Sequence, residues 1–144
     1  MKKLLILSFT AICLVTSSFA SSYEKVNSQA TIHFESNFSG ATDVSWVVTD
    51  NFEKASFTLA NEKMDAYYDA NGALIGTSKV LAFDKLPKSA LTLLTSEYTF
   101  PDYQLTDCIE FTDADNNKNY FVSFDNENEN VILSVSASGV VSPY

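Results

Sequence analysis

The chain has 144 residues with a formal net charge of −9, from 9 Lys and Arg against 18 Asp and Glu. It contains no arginine, and an acidic body without guanidinium groups lacks the cationic contacts that phosphate backbones require, so nucleic acid is excluded as a partner. One His and two Cys supply no ligand set for zinc or another transition metal.

Lys2 and Lys3 precede an apolar run from Leu4 to Val15, and Ser18 and Ala20 stand at the −3 and −1 positions of a cleavage site. Residues 1–20 therefore read as a secretory signal, with the exported chain starting at Ser21. The run is too short for a ~30 Å hydrocarbon core, so no membrane insertion is expected after cleavage. Cys13 follows Ile12, where a lipoprotein signal needs a small residue. The expected compartment is the periplasm or the extracellular space. The remaining 124 residues carry seven Lys against eighteen acids, a net charge of −11, and a single cysteine, Cys108, so no internal disulfide can form.

Val26, Ala30, Phe34 and Phe38 recur every four residues with polar residues between them, which predicts an amphipathic helix stopped at Gly40. Three period-two runs follow: Val44, Trp46 and Val48; Ala55, Phe57 and Leu59; Met64, Ala66 and Tyr68. Turns are expected at Asp50-Asn51, at Asn61-Glu62 and, most strongly, at Asp69-Ala70-Asn71-Gly72. A fourth strand is expected over 73–83. The pattern then restarts. Asp84 is the expected N-cap of a second helix with Pro87 in its first turn and Leu86, Ala90, Leu93, Leu94 and Tyr98 on its apolar side. Phe100-Pro101-Asp102 ends it. Strands follow around Tyr103 to Phe111, Tyr120 to Phe124 and Val131 to Val135, and Ser136 to Val140 repeats the turn of Asp69 to Ala73. This is an α+β class, read as two tandem helix-plus-antiparallel-sheet units over 21–83 and 84–144. Trp46 is expected in the core. Cys108 is expected opposite Ile109 and away from the core, hence dispensable.

Several stretches carry a family likeness. Phe38 to Trp46 is similar to the Phe-Pro-Gly-Ala entry, and Met64 to Thr77 to the Ala-Tyr-Phe-Asp-Ala-Asp-Gly hairpin, of the β-lactamase-inhibitor-like, PepSY-like family of exported bacterial proteins. Leu86-Pro87 and Phe100 to Tyr103 resemble that family's second helix, with Ser39 and Asp102 departing from its usual Pro and Gly. The resemblance implies tandem PepSY-like units folded like β-lactamase inhibitor protein, in a non-enzymatic protein. It does not imply inhibition of a β-lactamase, since fold does not carry function.

His33 is the only histidine and flanks an apolar helix face, a structural more than a catalytic setting. No serine sits in a nucleophile elbow and no carboxylate pair is isolated in apolar surroundings, so neither an enzyme nor a cofactor is expected. Asp113, Asp115 and Asn117 match the first oxygens of a calcium loop. Lys118 replaces the required Gly and Phe124 the bidentate Glu, so a hairpin turn is preferred over weak calcium binding. If Trp46, Phe57, Tyr68, Val122 and Leu133 face the helices, then Val47, Tyr67, Phe121 and Ile132 face away, with Tyr67 and Phe121 on matching strands of the two units. That face is either buried between the units or open to an unknown protein partner. The preferred function is a protein-binding module, possible inhibitors included. The alternative is a small-ligand or weak calcium-binding periplasmic protein.

Overall fold

The computed structural model describes residues 25–144, so the expected leader and the start at Ser21 lie outside the described residues. Helix α1 spans Ser28–Asn37 and is followed by strands β1 Thr42–Val48, β2 Glu53–Leu59, β3 Glu62–Tyr68 and β4 Leu74–Val80. A 3₁₀ turn at Phe83–Lys85 leads to α2 Lys88–Glu97, then β5 Gln104–Asp113, β6 Lys118–Asp125, β7 Asn130–Ser136 and β8 Val141–Pro143. The strands form one antiparallel sheet in sequence order, and β4 joins β5 through pairs running from Gly76 with Asp113 to Val80 with Ile109. The boundary expected at 83/84 falls in the 3₁₀ turn, while the sheet runs on without a break. No helix among the described residues is long and apolar enough to cross a membrane.

Both helices lie on the same sheet face. One cross-strand row runs Phe57, Met64, Lys79, Glu110, Tyr120, Val135 and Val141. At one end α1 covers Phe57, with the Phe34 and Phe57 rings 4.9 Å apart. At the other, Val135 is fully buried in a cluster with Leu86, Ala90 and Leu94 of the α2 region. Eight strands at ~4.8 Å spacing span ~34 Å, whereas two helices, each ~10 Å wide, leave a strip between them uncovered. Charged groups occupy that strip. Lys79 pairs with Glu62 and Lys118 with Glu110, each at 3.0 Å. The apolar core is accordingly split, with Ala30, Phe34, Ala55, Phe57, Ala66 and Tyr68 under α1 and a separate cluster around Leu94, Val122, Phe124 and Leu133 under α2.

The two helices are seated alike. Gly72 and Gly139 have φ of +82° and +85°, which only glycine adopts freely. A Cβ on Gly72 would meet Asn27 and Ala30 at the start of α1, and one on Gly139 would meet Ser89 at the start of α2. Asp69 accepts from the Ala73 N–H through its carboxylate, and Ser136 accepts from the Val140 N–H through its hydroxyl. These bonds close the β3–β4 and β7–β8 turns against the helix starts.

Five expectations need correction. Asp84 does not cap α2: it lies in the 3₁₀ turn and the helix begins at Lys88, with Pro87 as its N-cap. Proline forces the residue before it out of helical geometry, and Leu86 is indeed extended. The matching helix ends are Phe38 and Tyr98, whose N–H groups donate to Phe34 and Leu94, so Phe100 is two residues too late. The β2–β3 turn sits on Ala60-Asn61, both at positive φ, and β4 stops at Val80. Finally, Cys108 faces the core at 5% exposure, and Ile109 faces away. A bulge between Leu105 and Asp107 inserts an extra residue and inverts the alternation along β5.

Candidate functional site

Among the described residues, no helix or strand covers the face opposite the helices. Registers place Val47, Lys54, Tyr67 and Gly76 in one row, Val80, Ile109, Phe121 and Ser134 in a second, and Asp107, Ser123 and Ile132 in a third. All four sequence-predicted contact residues, Val47, Tyr67, Phe121 and Ile132, therefore share this face. Tyr67 and Phe121 do not occupy matching strands, however. Tyr67 lies on β3, the third strand of its half, and Phe121 on β6, the second of its half.

Their link is Phe111, which shares the strand phase of Ile109 and so is expected on the side opposite Cys108. Tyr67 and Phe111 have ring centroids 6.2 Å apart, and Phe111 and Phe121 6.4 Å. Phe52 packs on Tyr67 at 5.8 Å and Tyr144 on Phe121 at 5.0 Å, the latter held by its N–H donating to the Ile132 carbonyl. The five rings form a broken row across the sheet. The signal that could have found Phe111 is Gly76. A Cβ there would fall 2.5 Å from the Phe111 ring, which occupies the space a side chain would fill, and glycine inside a strand marks such close approaches.

Two hollows open on this face. The first, of about 460 Å³, is lined by Asp43, Asp65 and Asp107 with Ser56, Val80 and Ile109 among its other walls. The second, of about 390 Å³, is lined by Asp107, Ile109, Phe111, Phe121, Ile132 and Tyr144. They share Asp107 and Ile109, so the two adjoin along β5. Asp65 accepts the Ser56 hydroxyl at 2.5 Å and Asp107 the Cys108 N–H at 2.9 Å. Among the described residues, no lysine or histidine lies within ion-pairing distance of Asp43, Asp65 or Asp107. Asp43 itself sits at φ +55° beside the β1 bulge, which turns this short acid toward the hollow.

The other candidates are occupied internally. Asp113 accepts the Asp115 and Asn117 N–H groups on one oxygen and the Asn117 amide on the other. Those bonds, the Asn117 side chain first, hold its carboxyl below the usual carboxylate range. The carboxylate of Asp113 thus closes the β5–β6 turn. Among the described residues, no three His, Cys, Asp or Glu side chains converge as a metal site would need. His33 Nδ1 lies 3.2 Å from the Tyr68 hydroxyl, with the rings edge to face. Tyr68 is fully buried, and burial pushes its phenol up to about 12. The phenol therefore stays protonated, and its hydroxyl shares a hydrogen bond with the imidazole whose donor depends on the ring's tautomer, a structural bond tying α1 to β3. Cys108 is pushed up to about 11, chiefly by burial and then by the Asp107 charge. A catalytic thiol needs the opposite shift.

The eight-stranded antiparallel meander with two helices on one face is a fold shared with solved BLIP-like structures. No protein-family model matches the chain, and no curated protein matches it in sequence. Solved structures do match in fold. A BLIP-like protein from Bacteroides fragilis superposes with a TM-score of 0.68 at 17% identity, over 84% of this chain and 86% of that one. A DUF2874 family protein from Bacteroides uniformis gives 0.69 at 9% identity, over 81% and 86%. A candidate periplasmic protein from Bacteroides eggerthii gives 0.70 at 10% identity, over 81% and 86%.

Proposed function

We propose that the chain is an exported, non-enzymatic protein-binding module that meets its partner with the open sheet face, in the manner of an inhibitor. The observation that carries this reading is the row of Phe52, Tyr67, Phe111, Phe121 and Tyr144 on a face that no helix covers. Tyr144 is exposed and the other four rings are half-buried, and clustered aromatics left partly open are the side chains that dominate protein interfaces when a partner completes their burial. Export is supported by the Lys2-Lys3 leader pattern and by the periplasmic description of the Bacteroides eggerthii structure. A non-enzymatic role is supported by the engagement of His33 with Tyr68 and the inert setting of Cys108. The same proposal takes residues 21–83 and 84–144 as tandem units, supported by the matched seats of Gly72 and Gly139.

The test places a photoreactive benzophenone amino acid at Phe121, or for comparison at Leu93 on the outer side of α2, and irradiates the exporting cells. A discrete protein adduct from position 121 and none from 93 is expected. Adducts from 93 alone, or from neither, overturn the reading.

A further inference from the structure

We infer that the occupant of the two adjoining hollows is an extended protein segment that places a lysine or arginine against the carboxylates lining the first, Asp43, Asp65 and Asp107, and an apolar side chain against Ile109, Phe111 and Phe121. The inference rests on the open-face reading above and names the chemistry of the partner.

Charge complementarity carries it. The first hollow gathers three carboxylates, and its lysines are Lys63 and Lys79, the second of which is already paired with Glu62 at 3.0 Å. The second hollow is apolar except for Asp107 and Ser123. Asp107 and Ile109 line both, so a cationic group in one and an apolar group in the other belong to the same short stretch of chain. Each of the three carboxylates accepts a hydrogen bond inside the protein, Asp43 from Thr42 at 3.3 Å, and these bonds hold the carboxylates in place before any partner arrives. Three carboxylates against Lys63 and the already paired Lys79 leave the hollow short of positive charge, and a pre-oriented excess of anions is matched by a cation on the partner, which also accelerates encounter.

The competing occupants fit less well. A sugar stacks on coplanar rings, yet Tyr67, Phe111, Phe121 and Tyr144 meet at 53°, 75° and 77°, which makes slots for side chains and no flat platform. A second copy would bring the three aspartates of each face against those of the other, and like charges at an interface are costly.

The probe is a phage-displayed library of random dodecapeptides, selected on the exported chain and counter-selected on a variant carrying Asp43→Asn, Asp65→Asn and Asp107→Asn. Asparagine keeps the acceptor oxygens, and circular dichroism melting confirms that the variant folds. Selected peptides are expected to share a Lys or Arg within a few residues of an aromatic or large aliphatic residue. Synthetic versions should bind the variant at least tenfold more weakly and weaken several-fold between 50 and 500 mM NaCl. Peptides without a cation, or with equal affinity for both chains, overturn the inference, as does failure to enrich any peptide. A concentration-dependent dimer in sedimentation, or retention on neutral polysaccharide that the aspartate variant keeps, also overturns it. If the Phe121 photo-adduct forms and survives the three substitutions, the inference fails and the open-face reading stands. If no adduct forms at all, both fail.

Discussion

On the helix face, the Phe34 ring meets Phe57 at 4.9 Å and Trp46 at 5.5 Å, and Trp46 meets Tyr68 at 5.7 Å, all beneath α1. On the open face, Tyr67, Phe111 and Phe121 follow one another at 6.2 and 6.4 Å, with no helix or strand among the described residues above them. The two sets meet on β3, where the neighbours Tyr67 and Tyr68 belong to opposite sets. The difference is one of closure. Phe34, Phe57 and Tyr68 are buried under the helix with Trp46 half-buried at the margin, whereas Tyr67, Phe111 and Phe121 on the open face are all half-buried and keep one side wet. A protein holds aromatics in that second condition when something other than its own chain completes their burial.

The sharpest way to test that contrast is to truncate under a helix. Leu94 on α2 is fully buried among Val122, Leu133 and Val135. Leu94→Ala is expected to cost about 2–5 kcal/mol, the lost transfer energy plus an unfilled cavity. Urea unfolding monitored by Trp46 fluorescence and by circular dichroism measures it. A loss below about 1 kcal/mol would mean that the second half contributes little to a common fold, against the continuous sheet through β4 and β5.

Next in size is the seam between the halves. Gly76→Ala would push a methyl into the Phe111 ring, and overpacking of this kind costs about 1–3 kcal/mol. Displacing Phe111 also breaks the bridge between Tyr67 and Phe121, so the Phe121 photo-adduct should weaken along with stability. A fully stable Gly76→Ala protein with an unchanged adduct would show that Phe111 moves freely and that the row is not a unit.

Much of the helix face was legible because simple alternation holds in β2, β3, β6 and β7. There Ala55, Phe57, Ala66, Tyr68, Val122, Phe124, Leu133 and Val135 are all buried. The four contact residues followed as the opposite phase. What escaped were local departures from period two and contacts distant in sequence. The bulge near Thr106 exchanged Cys108 with Ile109 and Phe111, and it hid the ring that joins the two halves of the open face. Asp43, Asp65 and Asp107 come from three strands, and only the register gathers them around one hollow. The tandem reading rests on matched helix seats that the turn sequences at 69–73 and 136–140 announced.

The titration of the two faces differs as well. Cys108 and Tyr68, both on the helix side, have proton affinities raised to about 11 and about 12 by burial. Each binds its proton more tightly in the folded chain than in the unfolded one, where a thiol titrates near 9 and a phenol near 10. Their contribution is therefore complete below about pH 9 and is lost as pH rises through 9 to 11 for the thiol and 10 to 12 for the phenol. Denaturation midpoints should hold steady from pH 7 to 9 and then fall. Cys108 should also resist iodoacetamide at pH 8 until the protein is unfolded. Rapid alkylation of the native chain would place the thiol on the surface and restore simple alternation along β5.

The smallest expected effect is at the margin of the open face. Val47 and Ile132 are 50% and 42% exposed, and they stand on β1 and β7, toward opposite edges of the sheet. Val47→Thr and Ile132→Thr keep the branched side chain that strands favour, so they probe burial and little else. Exposed positions of this kind change stability by no more than about 0.5 kcal/mol. A buried strand position given a hydroxyl without a partner would lose about 1–3 kcal/mol. The measurement is the urea midpoint of each variant at two protein concentrations a hundredfold apart. Midpoints within error of the parent at both would leave this face open in the isolated protein, as a partner-binding face requires. A loss near 2 kcal/mol that grows with dilution in the parent would mean that a second copy already covers Val47 or Ile132. The contrast between the faces would then be one between two buried surfaces, and the aromatic row would belong to a dimer.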